Sequence, residues 1–137
     1  MAPERAGNRL LTELLGLLAV AAATVATWWV WLGWDTEYDI DPVTQSASGP
    51  YEVWQVAGCV LCLGVIAVVG ALALRPWLVP VAMTVPFTGA WSWSAASTDD
   101  SGLWFVGAVL LFAGLSVSSA LVSFASRMAW ESLRHPA

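Results

Sequence analysis

The chain contains no lysine, one histidine and two cysteines, and charged residues make up only 11 % of its 137 positions. Soluble domains carry about 25 % charged residues. Such a shortage excludes a soluble globular enzyme and a disordered tail. The formal net charge is −5, which leaves no cationic surplus to neutralise phosphates and excludes a nucleic-acid binder. With His135 as the only histidine, there is no Ser-His-Asp set and no metal site of ordinary composition. No glycine-rich phosphate loop and no deeply placed pair of acids is present, so no cofactor is expected.

What the chain has is hydrophobic length. Apolar residues make up 58 % of the sequence, close to the ~80 residues that four spans of ~20 residues would use. The mean hydropathy is +0.71. Breakers and polar stretches divide the chain into spans at about 11–34, 53–74, 77–96 and 103–125. An acidic outer loop covers 35–52 and a cytoplasmic tail 126–137. These features predict a single all-α transmembrane domain, residues 1–137, built as a bundle of four helices running up-down-up-down. The first span is expected to be retained rather than cleaved as a signal peptide, because its apolar run continues to Trp34, well past the small residues Ala21, Ala22 and Ala23.

The cations set the expected orientation. Arg5, Arg9, Arg75, Arg127 and Arg134 all fall on one side of a four-span chain. The positive-inside bias therefore predicts a plasma-membrane protein with both termini cytoplasmic. Ten tryptophans mark the boundaries: Trp28, Trp29, Trp31, Trp34, Trp54, Trp91, Trp93 and Trp104 at the outer end, Trp77 and Trp130 at the inner end. Indole rings favour the headgroup level. The crowding of Trp28, Trp29, Trp31 and Trp34 also suggests an outer-leaflet pocket for a lipid or quinone.

Small residues predict where helices touch, within the bundle or against a partner chain, since they let backbones approach closely in lipid. The rows are Ala19, Ala23 and Thr27; Gly58 and Cys62; Ala67 and Ala71; Gly114 and Ser118; Ser116 and Ala120; and Ser119 and Ser123. Pro80 and Pro86 are expected to bend the third helix and free carbonyls that Thr84 and Thr88 would satisfy.

Three motifs bear on chemistry. Cys59 and Cys62 lie three apart on one helical face, about 9 Å below Val53 at 1.5 Å per residue, where a dithiol could pass electrons to membrane quinone. GCVLC resembles the vitamin K epoxide reductase family, which carries a Cys-x-x-Cys near the outer end of a span. Here, however, the pair is on the second span, and the relay cysteines of that family are absent. Packing of both thiols as small apolar residues is the favoured reading. The preceding Val56-Ala57-Gly58-Cys59 mimics a lipoprotein box, but it opens an internal span. Asp35, Glu37, Asp39 and Asp41 alternate with other residues but do not fit an EF-hand, and a solvated loop is expected. Glu13 is reminiscent of a small multidrug transporter, in which the acid lies deep in the first helix; here it sits one turn from Arg9 and is expected to pair with it or to reach cytoplasmic water.

The segments SGPYEVWQVAGCVLCLGVIAV and TDDSGLWFVGAVLLFAGL resemble small four-span integral membrane proteins of actinobacteria, which implies a bacterial plasma membrane and no particular activity. The resulting expectation is a non-enzymatic protein whose partners are the lipid bilayer and other helices, as a homo-oligomer or subunit of a larger complex. A membrane thiol-disulfide oxidoreductase and a lipid or quinone binder are the alternatives.

Overall fold

The structure, a computed structural model, describes residues 2–136. Helix α1 covers Ala2–Trp28 and runs directly into a π-helical turn, Trp29–Gly33. The wide turn accommodates four crowded indoles. A Cβ at Gly33 would stand 3.1–3.2 Å from the rings of Trp28 and Trp29, so a larger residue there would push one of these rings back by a few tenths of an ångström. The Trp34 indole Nε1 donates to the Val30 carbonyl at 2.8 Å.

The outer loop holds a two-residue hairpin in which β1 (Asp39–Ile40) pairs antiparallel with β2 (Ala47–Ser48). Asp41 organises its turn by accepting the backbone N–H groups of Val43 and Thr44 at 2.7 and 3.1 Å, and Gln45 takes a left-handed φ of 56°. The acidic run is therefore partly spent on holding its own loop. Among the described residues, no three His, Cys, Asp or Glu side chains converge on a metal position.

Helix α2 spans Val53–Ala73, α3 Leu78–Thr98 and α4 Trp104–Arg134. The stretch after residue 125 does not leave the helix: α4 continues to Arg134, with Arg127 and Glu131 paired one turn apart at 3.2 Å. Asp99 wires the short α3–α4 loop by accepting Ser101 N–H at 2.9 Å and Trp104 N–H at 2.9 Å. Gly102 supplies the positive φ of 77° that this turn needs.

Around the bundle, α1 packs on α2 and α3, and α4 packs on the same two helices. The sequential neighbours α2 and α3 lie across a diagonal and touch little. The core is narrow: Val20, Leu32, Cys59, Leu63, Ala67, Val79, Met83 and Phe87. Most large apolar side chains point outward, and only 11 %, 28 % and 11 % of the apolar windows of α1, α2 and α4 are buried. A belt of exposed leucine, valine and phenylalanine of this extent suits hydrocarbon rather than water. The segments Glu4–Gly33, Val53–Ala73 and Trp104–Arg134 are long and apolar enough to cross a membrane, with mean hydropathies of 1.9, 2.7 and 2.2. The 21 residues of α3 are diluted by Pro80, Pro86, Thr84, Thr88, Ser92, Ser94, Trp91 and Trp93, and it does not join this set.

Three expectations are corrected. The row Ala19 and Ala23 is not a seam within the bundle: the inner row of α1 is Gly16, Val20 and Thr24, with Val20 and Thr24 buried, whereas Ala19 and Ala23 face outward, which leaves a partner chain as the expected contact for them. Pro80 falls in the first turn of α3, where an N–H would be unpaired anyway, so only Pro86 interrupts the ladder. Thr84 and Thr88 do not repair that interruption: neither hydroxyl has a hydrogen-bond partner among the described residues. The other buried or half-buried hydroxyls mostly turn back on their own helix, as Thr24 does to Val20 O at 2.8 Å and Ser126 to Val122 O at 2.6 Å.

Candidate functional site

Gln55 organises the outer end of the bundle. It is 1 % exposed, and both ends of its carboxamide are used. Its Oε1 accepts the Glu52 N–H at 2.6 Å, which begins α2, and its Nε2 donates to Asp35 Oδ2 at 3.0 Å, which ties α2 to the end of the π-helical turn. One turn further in, the Trp31 ring packs against Gly58, where a Cβ would come within 2.4 Å of it. Trp54 meets Trp31 edge-on, with ring centroids 6.2 Å apart. Trp91 similarly reaches over Gly107, at 2.7 Å from a Cβ there. These indoles therefore serve as inter-helix packing at least as much as membrane anchors. Glycine notches opposite aromatic residues were the signal in the sequence.

Between the loop and the α3–α4 end lies a cavity of about 260 Å³, lined by Tyr38, Tyr51, Trp91, Asp99 and Trp104 among others. Burial pushes the Tyr51 phenol above its ordinary pKa, with the Trp91 indole pulling the other way. The phenol thus stays neutral and can donate a hydrogen bond at any physiological pH. Of the expected outer cluster, Trp91 and Trp104 line this cavity, while Trp28, Trp29, Trp31, Trp34, Trp54 and Trp93 do not.

Cys59 and Cys62 are both free thiols. Cys59 is 3 % exposed and belongs to the core, against the same helix face as Leu63 and Ala67. Cys62 is half-buried. No cation or histidine is shown in contact with either, so no feature among the described residues activates a thiolate.

At the opposite end, Glu13 pairs not with Arg9 but with Arg75, Oε1 to Nε at 3.1 Å. The cause is packing. The Leu74 side chain seats on Gly16, 2.5 Å from where a Cβ would stand, and this draws the α2–α3 turn onto α1 beside Glu13. Arg127 of α4 reaches the end of α2 and donates from Nη1 to the carbonyls of Ala71 and Leu72, each at 3.4 Å. Those two oxygens lack intrahelical partners in the last turn.

No family model, no curated protein and no solved structure matches the chain.

Proposed function

We propose that this is a multi-pass protein of a bacterial plasma membrane that acts without catalysis, through contacts between its outer helix faces and those of a second copy or a larger complex. All four helices span in this reading, up-down-up-down, with both termini cytoplasmic. The gathering of Arg5, Arg9, Arg75 and Arg127 at one end, around the Glu13–Arg75 pair and the end of α2, supports that orientation. The outer loop and its acids lie at the other end.

The observation that carries the reading is the outward row on α4. Gly114 and Ser118 are exposed, and a Cβ at Gly114 would meet nothing within 4 Å. Gly64 is equally open and lines, with Ser118 and Ser119, an apolar cleft of about 140 Å³ between α2 and α4. Ser118 satisfies its hydroxyl on Gly114 O at 2.7 Å, so the row is smooth as well as narrow. Small residues with no partner inside their own bundle are where another transmembrane helix approaches most closely.

The test is self-association in mild detergent and in liposomes, by cross-linking and by fluorescence transfer between labelled copies. Wild type is expected to associate, or to co-purify with a membrane partner, and Gly114→Leu to abolish that while keeping its helicity. A chain that is monomeric and partnerless under both conditions refutes the reading.

A further inference from the structure

We propose that the arginine-lined end of the bundle is a binding groove for the phosphate of an anionic phospholipid headgroup. Two adjoining depressions lie there. One, of about 480 Å³, is lined by Asn8, Arg9, Thr12, Glu13, Arg75 and Arg127 among others. The other, of about 410 Å³, is lined by Arg5, Ala6, Arg9, Leu10, Glu13 and Arg75. They share Arg9, Glu13 and Arg75, so they form one continuous groove between the start of α1, the α2–α3 turn and α4.

The charges in this groove are not balanced. Arg75 is answered by Glu13 and Arg127 by Glu131, in both cases through the guanidinium Nε. Arg5 and Arg9 have no ion-pair partner among the described residues. The terminal nitrogens of Arg75 also make no hydrogen bond among those residues, whereas Arg127 already spends Nη1 on Ala71 and Leu72. A guanidinium held by its Nε and left open at its outer edge is oriented to receive phosphate oxygens. Thr12 gives its proton to the Asn8 backbone carbonyl at 2.8 Å, and the Asn8 carboxamide, which lines the groove beside Arg9, is a neutral donor.

A free phosphate and a lipid phosphate share this chemistry. The wall of the groove favours the lipid. Leu10 lines the groove itself and is 61 % exposed, and Leu11 and Leu14 continue outward along α1 at 57 % and 50 %. Trp77, 56 % exposed, stands at the same end, at the level where indoles meet headgroups. An acyl chain can thus run along exposed leucines while its phosphate meets Arg5, Arg9 and Arg75. Basic pockets between transmembrane helices on the positive side recognise anionic headgroups in this way. The proposal needs the bundle to lie in a bilayer. It is independent of whether the bundle acts by self-association.

The experiment is native mass spectrometry of the full chain in nonionic detergent, offered equal amounts of phosphatidylglycerol and phosphatidylcholine. Preferential retention of phosphatidylglycerol is expected. The preference should fall about fivefold for Arg9→Gln and again for Arg5→Gln, since both side chains are exposed and make no ion pair that the fold depends on. Arg134→Gln, which lines neither depression, should leave it unchanged. Equal retention of the two lipids overturns the proposal, as does a preference that survives Arg5→Gln and Arg9→Gln together. Displacement of the lipid by millimolar inorganic phosphate overturns the lipid source and assigns the groove to a soluble phosphate.

Discussion

Glu13 and Arg75, sixty-two positions apart in sequence, are joined at 3.1 Å because Leu74 packs into the notch left by Gly16. The ion pair is a consequence of apolar packing and adds little on its own. Its side chains are 28 % and 57 % exposed, in the regime where such pairs contribute at most about 1 kcal/mol.

Two glycines at such notches should therefore respond differently to the same substitution. At Gly16 an added methyl meets the tip of a flexible leucine. Leu74 can swing aside, and alanine gains helix propensity, so Gly16→Ala should be neutral or stabilising by up to about 1 kcal/mol. At Gly58 the methyl meets the Trp31 ring at 2.4 Å. That ring is rigid and held by Trp54, so Gly58→Ala should destabilise by about 1–3 kcal/mol. Thermal unfolding in detergent would order the two variants, and a shift in tryptophan emission only in Gly58→Ala would locate the damage.

Much of this architecture was legible in the sequence, and the parts that were not share a cause. Helix α2, Val53–Ala73, coincides with the apolar run 53–74 that hydropathy and breakers mark, whereas α1 begins at Ala2, ahead of residue 11, and α4 continues past residue 125 to Arg134. Which face of α1 turns inward did not follow. A helix that is apolar on every side has no polar face to mark its exterior, so Ala19–Ala23 and Gly16–Val20–Thr24 were equivalent as patterns. The same holds for the diagonal placement of α2 and α3 and for the partner of Glu13, which depend on a side chain from another helix. At the thiol pair, spacing alone did not separate the core position of Cys59 from the half-exposed one of Cys62.

An acid response is expected in the α3–α4 loop, beside the one that the similarly lowered Asp41 carboxyl gives the outer hairpin. Hydrogen bonds from the Ser101 hydroxyl, then from the Ser101 and Trp104 backbone N–H groups, hold the Asp99 carboxyl below the usual carboxylate range. A depressed folded pKa means that the ionised form stabilises the loop. That contribution is complete above the unfolded value near pH 4 and is lost as pH falls through the folded value. Acidification below about pH 4 should thus release the loop and shift Trp104 emission, with helicity retained. In Asp99→Ala the emission should already be shifted at pH 7 and lose that acid step.

The orphaned hydroxyl of Thr84 makes an opposite kind of prediction. It is 2 % exposed and has no partner among the described residues. Replacing it by the same shape without the oxygen removes a desolvated polar atom and breaks no contact. Thr84→Val should be neutral or raise the melting temperature in detergent, whereas Thr24→Val, which breaks the 2.8 Å bond to Val20 O, should gain nothing comparable. A clear loss of stability in Thr84→Val would reveal a bound water or partner at that hydroxyl.

The thiols decide between the proposed non-catalytic role and the oxidoreductase alternative. Both are free, and Cys59 is in the core while Cys62 is half-buried. In acid-quenched intact cells, both should therefore label with a membrane-permeant maleimide under denaturing conditions without prior reduction. In the folded protein Cys62 should react faster than Cys59, because access rather than intrinsic reactivity limits a thiol with no nearby cation. Cys59→Ala should lower stability modestly by leaving a small void beside Leu63 and Ala67, and Cys62→Ala should do less. Labelling that appears only after reduction would instead mean a disulfide within the membrane. Electron exchange with quinone would then become the activity to measure, with Cys62 as the accessible thiol and Cys59 as its buried partner.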